Sequence, residues 1–110
     1  MAILNKTSLM IGLMIIMFGK DYKACKIFKD NLAVIKESVE RKKAVNASKI
    51  SEAITFLEEI TLIKSNSDGN YFGRFNPTQQ DFSNWNQWFK KNKARLYWDE
   101  KAHKVKVKTR

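Results

Sequence analysis

From residue 25 onward the apolar positions recur at helical spacing: Cys25, Phe28, Leu32, Ile35 and Val39 fall three or four apart, with lysines and glutamates between them. That spacing puts them on one stripe and predicts a first amphipathic helix. The charge-rich stretch ERKKAVNAS, residues 40–48, ends the stripe. Ser48 is placed to cap a second helix, in which Ile50, Ala53, Ile54, Leu57 and Ile60 share a face as far as about Ile63. A short connection between two such helices predicts an antiparallel pair.

Residues 64–80, KSNSDGNYFGRFNPTQQ, break the pattern with Gly69, Gly73, several polar turn formers and the only proline, Pro77. Within this loop Tyr71, Phe72 and Phe75 interleave with Arg74, so it is expected to fold back onto the helices. Long ordered loops often carry binding functions, which makes DGNYFGRF a candidate site. Thr78 followed by Asp81 is a helix start signal, and Pro77 stops extension backwards. Phe82, Trp85 and Phe89 then form the core-facing stripe of a third helix, with Trp88 at its edge and half exposed. Beyond KKNKA the period changes to that of a strand. Leu96-Tyr97-Trp98 and the alternating Val105-Lys106-Val107-Lys108 suit two strands, and DEKAHK between them suits a turn. Val105 and Val107 are expected inward, with Lys104, Lys106 and Lys108 on the other side, their stems packing against Trp98 or Tyr97. The fold class is therefore α+β, mainly α: two antiparallel amphipathic helices, an aromatic loop, a tryptophan-bearing third helix and a C-terminal β-hairpin.

Charge changes this picture more than composition does. The apolar fraction of 44% and charged fraction of 29% in 110 residues are those of one small globular domain. The net charge of +10 is unevenly spread: residues 90–110 hold nine basic and two acidic side chains, while residues 25–89 are nearly balanced at nine against eight. The C-terminal segment is thus a basic patch able to attract phosphate, anionic lipid or an acidic partner, against the plainer role of a solvated face. One cysteine, Cys25, allows no internal disulfide. With a single histidine, His103, and no CxxC or HExxH spacing, neither a transition-metal site nor a cofactor is expected.

The N-terminus carries its own signal. Lys6 precedes an uncharged run from Leu9 to Phe18, and the chain turns polar at Gly19-Lys20-Asp21. The run is too short for a membrane-spanning helix, which needs about 20 residues, and has the form of a secretory signal. Residues 1–24 are read as that signal and 25–110 as the single domain, although Met17-Phe18-Gly19 lacks a small-x-small cleavage pattern. Cys25 after Ala24 invites a second reading as the lipidated first residue of a lipoprotein. Tyr22 and Lys23, however, stand where a lipobox has an aliphatic and a small residue. A third reading makes Cys25 a small buried hydrophobe of the first helix.

The binding candidates are Tyr71, Phe72, Arg74, Trp88, Arg95 and Trp98, because aromatics and arginine are the residue types enriched at energetic hot spots. They fit a protein or glycan partner. No catalytic residue is assigned: Asp81, Asp99, Glu100 and His103 lie near the aromatics, but no spacing fixes a nucleophile, a base or a carboxylate pair. Nucleic acid is the alternative partner, through basic residues interleaved with Trp and Tyr, if the N-terminus is not a signal. A membrane partner enters only through lipidation of Cys25.

The stretch AITFLEEIT followed by SDGNYFGRFNPTQQDFSNWNQWFKKNKARLYWDE is similar to a terminal module of exported bacterial proteins, including ones with HEAT-like repeats, and to small predicted lipoproteins of unknown function. The resemblance covers residues 53–100 and implies an exported interaction or accessory domain of the bacterial envelope. It brings no catalytic residues. A single helix pair before the loop does not imply an extended solenoid.

Overall fold

The computed structural model describes residues 19–40, 45–66 and 76–109. Three helices, α1 (Gly19–Glu40), α2 (Ala47–Thr61) and α3 (Gln79–Asn92), are followed by a 3-10 turn (Lys93–Arg95) and by strands β1 (Leu96–Asp99) and β2 (Lys104–Val107). The strands form an antiparallel two-stranded sheet, so the architecture is α+β and mainly helical. The apolar run Leu9–Phe18 and the loop candidates Tyr71, Phe72 and Arg74 lie outside the described residues. Among the described residues no helix is long and apolar enough to cross a membrane.

The buried stripe of α1 is Ala24, Phe28, Leu32 and Ile35. Cys25 and Val39 sit at its margin, only partly buried, which corrects the stripe expected to begin at Cys25. Neighbouring positions differ by about 100° of helix rotation, and hydrophobic spacing alone does not separate two small residues side by side. The ring of Phe28 settles the rotation. It stacks on Phe89 at 5.0 Å and on Trp88 at 5.6 Å and meets Phe56 edge-on at 6.0 Å, joining α1 to both other helices. The helix starts upstream of Cys25 and runs unbroken through Ala24, which is fully buried.

The cap of α2 is Asn46, whose Oδ1 accepts from the Ser48 N–H at 2.8 Å, so Ser48 is a first-turn residue and not the cap. Ile50, Ala53, Ile54 and Leu57 are buried as the spacing predicts. The helix stops at Thr61 because Leu62 takes a left-handed conformation, φ 61° and ψ 17°, donating its N–H to the Glu58 carbonyl at 2.9 Å. Glycine or asparagine usually fills that position, and a leucine there costs about 1–2 kcal/mol. Its side chain is not repaid by burial: Leu62 is 84% exposed.

Thr78 and Asp81 form the expected capping box at α3. Asp81 does more than cap. At 1% exposure, its carboxylate accepts from Thr78 N–H (3.0 Å), from Ser65 Oγ (2.6 Å) and from Asn66 N–H (2.9 Å). Glu58, also buried, accepts from Ser65 N–H at 2.7 Å, and the Trp85 indole donates to the Ile63 carbonyl at 3.1 Å. Residues 63–66 are thereby strapped between the end of α2 and the start of α3. Since Asp81 takes the inward position of the first turn, Phe82 is half-buried at the edge, while Trp85 and Phe89 are core as expected.

In the hairpin Leu96 pairs with Val107 and Trp98 with Val105, so these four share the face toward the helices. Leu96 and Val105 are buried in the core. On the outer face Lys106 pairs with Asp99 at 2.7 Å, and Lys108 lies 6.0 Å from the Tyr97 ring. It is Lys23 of α1, not a hairpin lysine, that covers Trp98.

Candidate interaction surface

Three predicted binding residues fall within the described chain, and each is tied into the fold. Trp88 is half-buried and stacked on Phe28, with its free edge at a shallow cleft between Ile63, Asn84 and Lys91. Arg95 closes the hairpin: its Nε donates to the Lys108 carbonyl at 2.9 Å and its Nη1 to Asn92 Oδ1 at 2.8 Å, while its own carbonyl accepts from Lys108 N–H at 2.7 Å. Trp98 packs from the sheet onto the core, and its buried Nε1–H meets no acceptor among the described residues. The aromatics seen here are packing groups first. Large rings supply much of the burial in so short a chain.

The acidic candidates are engaged in local structure too. Asp81 is consumed by the strap and cap just described. Asp99 accepts from the N–H groups of Lys101 and Ala102 and pairs with Lys106, whose hydrogen bond is the main reason its carboxyl is held down at about 2. His103 stands edge-on to Trp98 at 6.1 Å, in a left-handed backbone conformation at φ 52°. Among the described residues no group of three His, Cys, Asp or Glu side chains could hold a metal ion.

What sequence reasoning missed is the seam between α1 and the turn after α3. Cys25 Sγ–H donates to the Lys93 carbonyl at 3.6 Å, binding the two elements across 68 residues of chain. Beside that contact stand two exposed lysines, Lys93 and Lys29, the latter also 5.8 Å from the Phe89 ring, whereas Lys23, about 200° from Cys25 around the helix, lies 3.9 Å over the Trp98 ring. Tyr22, 72% exposed, adjoins Lys23 in sequence. Lys26 on the same helix is paired with Asp30 at 3.0 Å. Each lysine is ordinary in the sequence. Only the packing of α1 against the turn after α3 brings Lys29 and Lys93 to one thiol, so no local motif announces the seam.

The same seam sets the chemistry of Cys25. Desolvation raises its thiol pKa above the ordinary value, Asp21 adds to the rise, and Lys29 and Lys93 work against it. The thiolate is the reactive form, so alkylation by iodoacetamide at pH 8 is expected to be several-fold slower than that of a free cysteine. Asp21→Asn is expected to speed it. Equal rates for native and denatured chain would refute this.

No protein-family model matches the chain, and no curated protein or solved structure does so either.

Proposed function

We propose that this chain is an exported, non-enzymatic interaction domain of the bacterial envelope, which meets an anionic partner through its lysine-bearing seam. The observation that carries the reading is the placing of Lys29 and Lys93 beside Cys25 where α1 meets the turn after α3, with Lys29 also beside the Phe89 ring. A positive surface of this kind favours encounter with negatively charged partners and makes binding sensitive to salt. The acidic residues nearest the aromatics serve caps, turns and an ion pair, which supports binding over catalysis. Export rests on the form of residues 1–18. In this reading any cleavage lies upstream of Ala24, because a mature chain starting at Cys25 would lose a fully buried core residue and the first turns of α1. Plain export is accordingly favoured over lipidation.

The test combines intact mass of the protein from its native host, by cell fraction, with fluorescence anisotropy of the full chain against a labelled heparin oligosaccharide. A shortened chain in the exported fraction is expected, together with binding that falls at least tenfold from about 50 to about 200 mM salt. Lys29→Glu with Lys93→Glu is expected to weaken that binding in the same measurement. An unprocessed chain in the cytoplasm that prefers a single-stranded oligonucleotide would overturn the proposal and favour nucleic acid.

A further inference from the structure

Residues 79–89 carry a single charged group, Asp81, and it is buried at the start of α3. In a chain that is 29% charged, the outer positions of this stretch are instead a serine and amides: Gln80, Ser83, Asn84, Asn86 and Gln87. Serine and asparagine are weaker helix formers than the lysine or glutamate common at outer helix positions. Neither the capping box nor the core stripe calls for them. Asn86 lines the flank toward α1, with Lys29 and Phe82. Asn84 and Gln87 lie on the other flank, where they join Ile63, Trp88 and Lys91 around a shallow cleft of about 240 Å³.

The cleft combines a fixed ring with unused hydrogen-bonding atoms. Phe28 covers one face of the Trp88 indole, with the ring planes 17° apart, and Asn92 Nδ2 donates to the Trp88 carbonyl at 2.9 Å. Trp88 is thereby held in place while its half-buried ring still lines the cleft. Gln80 Nε2 donates to Asn84 Oδ1 at 2.8 Å, which orients that amide and leaves the Asn84 Nδ2 protons without a partner among the described residues. A longer contact of 3.5 Å from Gln87 Nε2 to Ser83 Oγ leaves Gln87 Oε1 as an acceptor in the same way. Lys91 has no carboxylate partner among the described residues, and no carboxylate lines the cleft.

A ring beside one amide donor and one amide acceptor is complementary to a sugar. The C–H face of the sugar meets the electron-rich indole, and a hydroxyl accepts from one amide while donating to the other. A site for an anion would gather cations, which this chain has in excess; here one lysine stands among amides. Size narrows the ligand further, because pockets for drug-sized molecules hold about 300–1,000 Å³, and this one admits a single ring of a longer chain.

We propose that the Trp88 cleft is a subsite for one neutral sugar ring of a glycan, packed on the indole, with hydroxyls held by Asn84 Nδ2 and Gln87 Oε1 and a further one accepting from Lys91 Nζ. It goes beyond the anionic contact at the Cys25 seam and uses the opposite flank of α3. It also gives the amides of α3 a role that the fold does not.

The test is titration of the isotopically labelled full chain with two neutral tetrasaccharides, cellotetraose and chitotetraose, followed by NMR. Expected with at least one of them are shifts of the Trp88 indole N–H and of the Asn84 and Gln87 side-chain amides, with an affinity unchanged from about 50 to about 200 mM salt, since no counterions are released. Asn84→Ala with Gln87→Ala is expected to weaken that binding at least tenfold. The thermal midpoint holds or rises in this variant, because alanine is the better helix former, and heparin binding is unchanged. Lys29→Glu with Lys93→Glu leaves the tetrasaccharide bound. Absence of binding by both sugars, shifts centred on Cys25 and Lys29 in place of Trp88, or undiminished affinity in the double alanine variant would each overturn the subsite. If heparin still binds in any of those cases, the anionic reading stands without it; if the sugar binds as described and heparin does not, the subsite stands and the seam falls.

Discussion

Alanine in place of Trp85 is expected to remove about 3–5 kcal/mol of stability and to leave a large part of the population unfolded at room temperature. Trp85 is the largest of the completely buried side chains. Its truncation leaves a cavity against α1 and α2 that a small core has few neighbours to refill. It also deprives the Ile63 carbonyl of its indole donor, loosening the strap that orders residues 63–66. Trp85→Phe restores most of the apolar area but not the hydrogen bond, and is expected to cost about 1–2 kcal/mol. Urea denaturation followed by circular dichroism separates the cases. A loss below about 1 kcal/mol for the alanine variant would show that Trp85 is not the keystone described here.

Asp81→Ala carries the second large effect, about 3 kcal/mol. The carboxylate is buried and receives donors from Ser65, Asn66 and Thr78, so its removal takes away the acceptor that joins all three and leaves a gap at a buried position. Asp81→Asn keeps an acceptor oxygen and is expected to lose roughly half as much. Amide hydrogen exchange locates the damage. Faster exchange at Asn66 and in the first turn of α3, with the hairpin unchanged, is the expected pattern. Uniform acceleration would mean that Asp81 supports the whole fold and not this junction.

These two residues mark how far the sequence could be read. The Trp85 position follows from period alone, since i, i+3 and i+7 spacing admits one inward face. The Thr78–Asp81 start signal is local chemistry and is equally plain. That Asp81 also reaches back to residues 65 and 66 is not local: it depends on how α2 delivers the chain to α3. The rotation of α1, which exchanges Cys25 for Ala24 in the core, is set by Phe28 meeting rings on the other two helices. The alternation of the terminal strands was legible, whereas the fastening of Arg95 to Asn92 and Lys108 was not. Of the candidate site, residue types pointed to Trp88, Arg95 and Trp98 as contacts, yet each is occupied in packing or in closing the hairpin. Tyr71, Phe72 and Arg74 lie outside the described residues. The junction of Cys25, Lys29 and Lys93 is a product of assembly and has no linear signature.

The seam between α1 and the C-terminal hairpin also fixes when this protein can fold. Cys25 meets Lys93, Phe28 meets Phe89 and Lys23 meets Trp98, so the earliest described helix finds its partners near the end of the chain. Contacts of such separation pay their loop-closure entropy before any packing rewards it, and they form late. During synthesis α1 and α2 therefore emerge well before the Phe89 and Trp98 surfaces that complete their core, and residues 89–98 decide when the domain can close.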